Sequence, residues 1–200
     1  MFTKKDNFVI MHKPIDEKFV STIDFFSIYK TVCDFFNFEK NIPIKIYFLY
    51  SINEFHFFSD MKHEKWLCAF AGRNNIIFLF SPSKIEQLTD HKKSEIPKLI
   101  AHELSHIIQG NLGFKKIGLF NEGISVYIAK QKENLNFEDI DLSSIDIFNN
   151  EKKFLYEVSP RIINMIISKV GKEKLLSFLN VIKNKNTSDE IRDIFIKYFL

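Results

Sequence analysis

Up to about residue 93 the apolar residues of this 200-residue chain come in short β-branched and aromatic runs, and beyond it they recur at helical spacing almost to the end. Such a chain segregates a small sheet from a set of helices. IPIKIYFLY, residues 42–50, is the clearest strand, and Phe8–Met11 reads as a short edge strand. WLCAFAGRNNIIFLF, residues 66–80, reads as two runs joined by Gly72-Arg73-Asn74-Asn75, whose Gly and Asn residues tolerate the positive φ of a hairpin turn. Residues 16–36 read as one helix with Phe19, Ile23, Phe26, Tyr29, Cys33 and Phe36 on a stripe. Two Ser-x-x-Glu capping boxes, Ser51 with Glu54 and Ser83 with Glu86, open short helices. The expected fold class is α+β: a small mixed sheet with an edge hairpin in the N-terminal half, then a histidine-bearing helix and a helical C-terminal lobe. A single domain is expected over 1–200, with a strand-rich lobe over 1–93 and a helical lobe over 94–200.

Composition excludes several classes. The chain is 46% hydrophobic and 26% charged with few Gly or Pro, which is the profile of a folded globular protein. A net charge of +3 without a Lys/Arg stripe gives no electrostatic footprint for nucleic acid. Asp6, Asp16 and Glu17 interrupt the N-terminal region before a signal-peptide core can form, and no apolar run is long enough to span a bilayer. A cytoplasmic location and no membrane partner are the expectations. Cys33 and Cys68 fall on stretches that read as a helix and a strand, where unpaired thiols behave as small buried hydrophobes.

LIAHELSHIIQG, residues 99–110, carries the chemistry. Ser94 is a candidate N-cap and Pro97 suits the first turn, so a helix is expected over residues 95–109, ending at Gly110. At about 100° per residue, Ile96, Ile100, Leu104 and Ile107 share one face while His102 and His106 stand about 40° apart on the other. A pair of histidines at i and i+4 on a rigid helix supplies two nitrogens for a zinc ion, and Glu103 sits where its carboxylate reaches a metal-bound water rather than the metal. This is the HExxH spacing. The same spacing arises where two histidines lie on the solvent face of an amphipathic helix, and a third ligand separates the two readings. Catalytic zinc takes three protein ligands and one open position. Positions 109 and 112 are Gln and Leu, which excludes the H-x-x-G-x-x-H continuation. GLFNEGISVYIA, residues 118–129, offers Glu122 on a second apolar-periodic segment with Phe120, Ile124, Tyr127 and Ile128 as packing positions.

HELSH followed by Asn-Glu-Gly-x-Ser resembles the gluzincin metallopeptidases, the group of thermolysin-like and aminopeptidase-N-like enzymes. The resemblance implies that His102, His106 and Glu122 are zinc ligands and Glu103 the general base. Only 15 residues separate His106 from Glu122, a few fewer than in the best-known members, which implies a compact connection. FLYEVSPRIINMIISKVGKEKLLSFLN, residues 154–180, is similar to the segment carrying the catalytic tyrosine of the aminopeptidase-N-like enzymes, with Val158-Ser159 in place of Lys-Gly. On that likeness Tyr156 donates a hydrogen bond to the oxyanion; a helix-flanking core tyrosine is the other reading. The Gly-x-Met-Glu-Asn motif that holds a substrate's free amine has no counterpart, since Gly72-Arg73-Asn74-Asn75 bears no carboxylate. The resemblance therefore points to an endopeptidase.

Downstream, Ser159-Pro160 reads as an N-cap with a first-turn proline, Gly171 as a helix end, and Thr187 with Glu190 as another capping box. Six acidic residues and no Lys or Arg lie over residues 133–151, as an acidic flap or an ordinary solvated loop. His12, His56, His63 and His91 lack ligand spacing and are expected on the surface or in hydrogen bonds. The leading expectation is a zinc-dependent peptide-bond hydrolase acting on a peptide or protein substrate, with an extended peptide paired to an edge strand near residues 69–73 or 76–80, and a protein partner completing an open cleft. The alternatives are a peptide- or protein-binding module that keeps the fold without cutting, and a helical protein in which the motif is a coincidence.

Overall fold

A computed structural model describes residues 1–131 and 140–200; residues 133–139 of the acidic stretch at 133–151 lie outside them. Among the described residues five strands form one mixed sheet in the N-terminal half and helices fill the C-terminal half, so the α+β class holds. The strands are β1 (Phe2–Lys5), β2 (Phe8–Met11), β3 (Ile44–Leu49), β4 (Ala69–Gly72) and β5 (Ile76–Phe80), in the order β1-β2-β3-β5-β4. The β2-β3 and β3-β5 pairs are parallel and the two outer pairs antiparallel.

Phe8–Met11 is not the edge. β1 lies outside it, turned back over two residues by Asp6 at φ 50° in the left-handed region. FTKK offers one large apolar residue to a pattern search, and that is why β1 escaped it. The 66–80 hairpin forms as expected, with Asn74 and Asn75 both at φ 58° and Gly72 opposite Ile76. Of its two strands, β4 is the outer one.

The helix expected over residues 16–36 is two, α1 (Glu17–Thr22) and α2 (Phe25–Phe36). Ile23 is extended, and the Asp24 carboxylate accepts from Ser27 N at 3.0 Å as the N-cap of α2. A side-chain cap thus overrides an unbroken hydrophobic period, and Phe25 rather than Phe26 turns into the core. Ser51 caps α3 (Ile52–Phe58) through Glu54 N, and the Glu54 carboxylate accepts from Tyr50 N. Ser83 does not cap α4 (Ile85–Leu88): its hydroxyl faces Ser81 Oγ at 3.1 Å and donates to buried Asp16 at 3.3 Å, and Lys84 holds the cap position.

The chain divides into two compact units, Met1–Ile107 and Ile108–Leu200. In the first, Phe8, Ile10, Ile44, Ile46, Ile77 and Leu79 are buried, with Phe25 of α2 5.1 Å from the Phe8 ring. On the opposite sheet face Phe55 and Phe58 of α3 stack on Phe80 and Phe78 at 5.7 and 4.7 Å. The second unit contains α6 (Gly118–Ile128), α7 (Ser159–Val170), α8 (Lys172–Ile182) and α9 (Ser188–Phe199). Phe120, Phe178 and Phe195 form its aromatic centre. Gly171 ends α7 at φ 86° and Thr187 caps α9 through Glu190 N, both as expected. Among the described residues no helix is long and apolar enough to cross a membrane.

Phe55 is fully buried among aromatic rings, whereas Phe57 is 82% exposed. Phe55→Ala is expected to cost about 3–5 kcal/mol. Phe57→Ala should stay within about 0.5 kcal/mol of the parent. Urea unfolding of both variants checks this pair.

Candidate metal centre

The HELSH segment lies in a helix, α5 (Ile96–Asn111), whose ends differ from the sequence expectation. Ser94 is not its N-cap. It sits in a 3₁₀ turn over Lys93–Glu95, closed by Glu95 Oε2 accepting from Lys92 N at 3.0 Å. Nor does the helix stop at Gly110. The αL position falls at Gly113, φ 71°, where Gly113 N donates to Gly110 O and Phe114 N to Gln109 O, both at 3.0 Å. This is a Schellman closure, and burial of Phe114 supplies its usual apolar contact. Gly113 outcompetes Gly110 because only there does an apolar residue follow the glycine.

Burial settles the amphipathic alternative. Besides the expected Ile96, Ile100, Leu104 and Ile107 face, Leu99, Ala101, Ser105, Ile108 and Gln109 are buried, so the helix is covered nearly all round. His102 is 6% exposed, Glu103 7%, and His106 partly buried. These are not two histidines on a solvent face.

The two imidazoles converge. His102 Nε2 and His106 Nε2 stand 3.1 Å apart, with ring centroids at 4.8 Å. Tetrahedral zinc with nitrogens at 2.0–2.1 Å spaces its ligands by about 3.3 Å, so the pair is set as it would be around one ion. Glu122, on α6, completes a trio: one ligand atom each from His102, His106 and Glu122 lie within 4.8 Å of one another. No other trio of His, Cys, Asp or Glu among the described residues converges in this way. Two imidazoles and a carboxylate are a donor set suited to zinc. Glu103 is not in the trio; it is the buried carboxylate next in sequence to the first histidine.

Glu103 has a neighbour that the sequence did not reveal. Burial pushes the Cys68 thiol well above its ordinary value, and the negative charges of Glu103 and Glu95 push it further. Both cysteines are unpaired and buried, as expected.

Tyr156 lies on a π-helical turn, Phe154–Val158, that runs directly into α7. Ser159 is therefore inside the helix and not an N-cap. Its N–H donates to Phe154 O in an i to i−5 bond, and its hydroxyl bonds Leu155 O. Pro160 explains the turn: it has no N–H for the carbonyl four residues back, and its ring would clash there, so the ladder widens just upstream. Tyr156 is partly buried, and its turn packs against α6.

Of the remaining histidines, His12, His56 and His91 are placed as expected, whereas the His63 Nε2 is buried without a hydrogen-bond partner. His12 bonds Thr3 Oγ1 at 2.7 Å and Lys13 O at 3.0 Å, and His91 bonds Glu95 and Trp66 O, each at 3.0 Å. His56 is exposed, and His63 packs against the Phe55 and Phe80 rings. Sequence reading passed over Gln109 and Ser125, polar residues on otherwise apolar helix faces; that mismatch was the available signal. The chain matches no protein-family model, no curated protein and no solved structure.

The glycine after Glu122 has a packing role. A Cβ at position 123 would stand 3.0 Å from both the carbonyl carbon and oxygen of Ser159, atoms that a helix cannot move aside. Gly110, exposed and within α5, has nothing within 4 Å. Gly123→Ala is expected to destabilise by about 1–3 kcal/mol. Gly110→Ala should stabilise by roughly 0.5–1 kcal/mol. Opposite shifts in thermal midpoint would confirm both.

Proposed function

We propose that this chain is a zinc-dependent peptide-bond hydrolase, with His102, His106 and Glu122 as the ligands and Glu103 as the general base. The observation that carries the reading is the convergence of those three donors beside a buried glutamate on the same helix as the histidines. A zinc ion in such a site supplies Lewis acidity, polarising a carbonyl and bringing the pKa of a water toward neutrality.

The chain's own groups do the rest. Nε2 of each histidine serves as donor, so each ring's Nδ1 is left to fix its orientation. The Glu103 carboxylate takes a proton from the attacking water and passes it to the departing amine. Burial suits it to that role, because a proton held in a dry site is delivered to the nitrogen before it is lost to solvent. The Tyr156 phenol, on the π-helical turn against α6, donates to the oxyanion. β4, one of the two outer strands of the sheet among the described residues, offers backbone groups to an extended peptide, which makes recognition tolerant of side-chain sequence. The likeness of HELSH and NEGIS to gluzincin peptidases supports the same assignment.

Elemental analysis of the purified chain is expected to find one zinc, lost in His102→Ala, held only weakly by the two histidines in Glu122→Ala and kept in Glu103→Gln. Hydrolysis of an unfolded protein substrate should fall by at least about 10²-fold in Glu103→Gln. Full zinc occupancy with no cleavage by the wild type would make the chain a binding module instead. A wild type that takes up no zinc when it is offered would end the metal reading.

A further inference from the structure

α6 carries Glu122, and besides its apolar contacts it takes part in a small polar network. Gln109, on the last turns of α5 and 2% exposed, donates from Nε2 to the Asn121 carbonyl at 3.3 Å and to Ser125 Oγ at 3.2 Å. Ser125 is fully buried and its hydroxyl donates in turn to the same Asn121 carbonyl at 2.8 Å. Two donors thus meet one carbonyl, and that carbonyl belongs to the residue immediately before Glu122.

We propose that Gln109 is a positioning residue for the metal site, holding α6 in register against α5 so that Glu122 meets the two histidines. This rests on the zinc reading above. α5 is one unbroken helix from Ile96 to Asn111, so a side chain one turn beyond His106 shares the frame of both histidines. The carboxamide is directional where leucine or isoleucine would not be: it fixes α6 along its axis as well as its distance. The opposite side of α6 is fixed by the approach of Gly123 to the Ser159 backbone, so a slip toward α7 is blocked. What remains is sliding and rotation about the α6 axis, the motions that would carry Glu122 away, and these are what hydrogen bonds to the Asn121 carbonyl resist. A buried carboxamide is also costly to keep unless it is bonded, so its presence on an apolar face calls for a role that packing alone does not fill.

Zinc affinity of the full-length protein, measured by competition with a chromophoric chelator, tests this through a double-mutant cycle on Gln109→Met and Glu122→Ala. Gln109→Met is expected to weaken zinc binding about tenfold or more, as loss of outer-shell support does elsewhere. In the Glu122→Ala background the same change should have no further effect. Ser125→Ala, a smaller deletion, should weaken binding in the same direction and supplies the answer if Gln109→Met does not fold. Zinc affinity that Gln109→Met or Ser125→Ala leaves unchanged, or lowers equally with and without Glu122, overturns the inference while leaving the zinc site intact. A wild-type chain without zinc affinity overturns both.

Discussion

Two imidazole nitrogens 3.1 Å apart on a helix that is covered on nearly every side define the problem the rest of the chain has to solve. Two neutral Nε2 lone pairs aimed at each other repel, and the pair is stable only with a proton or a cation between them. The Glu103 carboxylate is buried on the same helix, and a buried charge is tolerated only beside an opposite charge or several hydrogen bonds. On the proposed reading, a cation held by His102, His106 and Glu122 would take the imidazole lone pairs.

Such a helix cannot be allowed to fray or turn, and both ends are tied. The 3₁₀ turn before it is closed by Glu95, which also pairs with His91, and the Schellman closure at Gly113 satisfies the carbonyls of Gln109 and Gly110. The helix runs to Asn111, two residues past the expected end, so Gln109 lies within it rather than at its last position.

The histidine pair of the candidate site was legible because its logic is local: His102 and His106 are four residues apart, and helix periodicity alone puts them together. Glu122 was legible only as a candidate, since nothing in the spacing of 15 residues says where α6 lies. The misreadings share a cause. Ser83, Ser94 and Ser159 each match an N-cap pattern, yet the Ser83 hydroxyl is engaged by Asp16, Ser94 lies within a 3₁₀ turn, and Ser159 lies within a continuing helix. A capping pattern states what a side chain can do, and tertiary neighbours decide whether it does. The helix over residues 16–36 failed the other way: its hydrophobic period ran through Ile23, and a local cap at Asp24 prevailed. The two-faced reading of α5 failed because Ser105 and Gln109 are polar residues that the fold buries.

Cys68 brings the same electrostatics to bear on selectivity. A thiolate is the strongest zinc ligand the chain possesses, and it lies within the field of Glu103, close to the proposed base. Only the deprotonated sulfur binds metal or suffers oxidation. Burial and the Glu103 and Glu95 charges keep this thiol protonated. The proposed base therefore has a second consequence: its charge helps to hold the Cys68 thiol in its protonated form. Neutralising Glu103 would therefore ease thiolate formation at Cys68, whatever else it does.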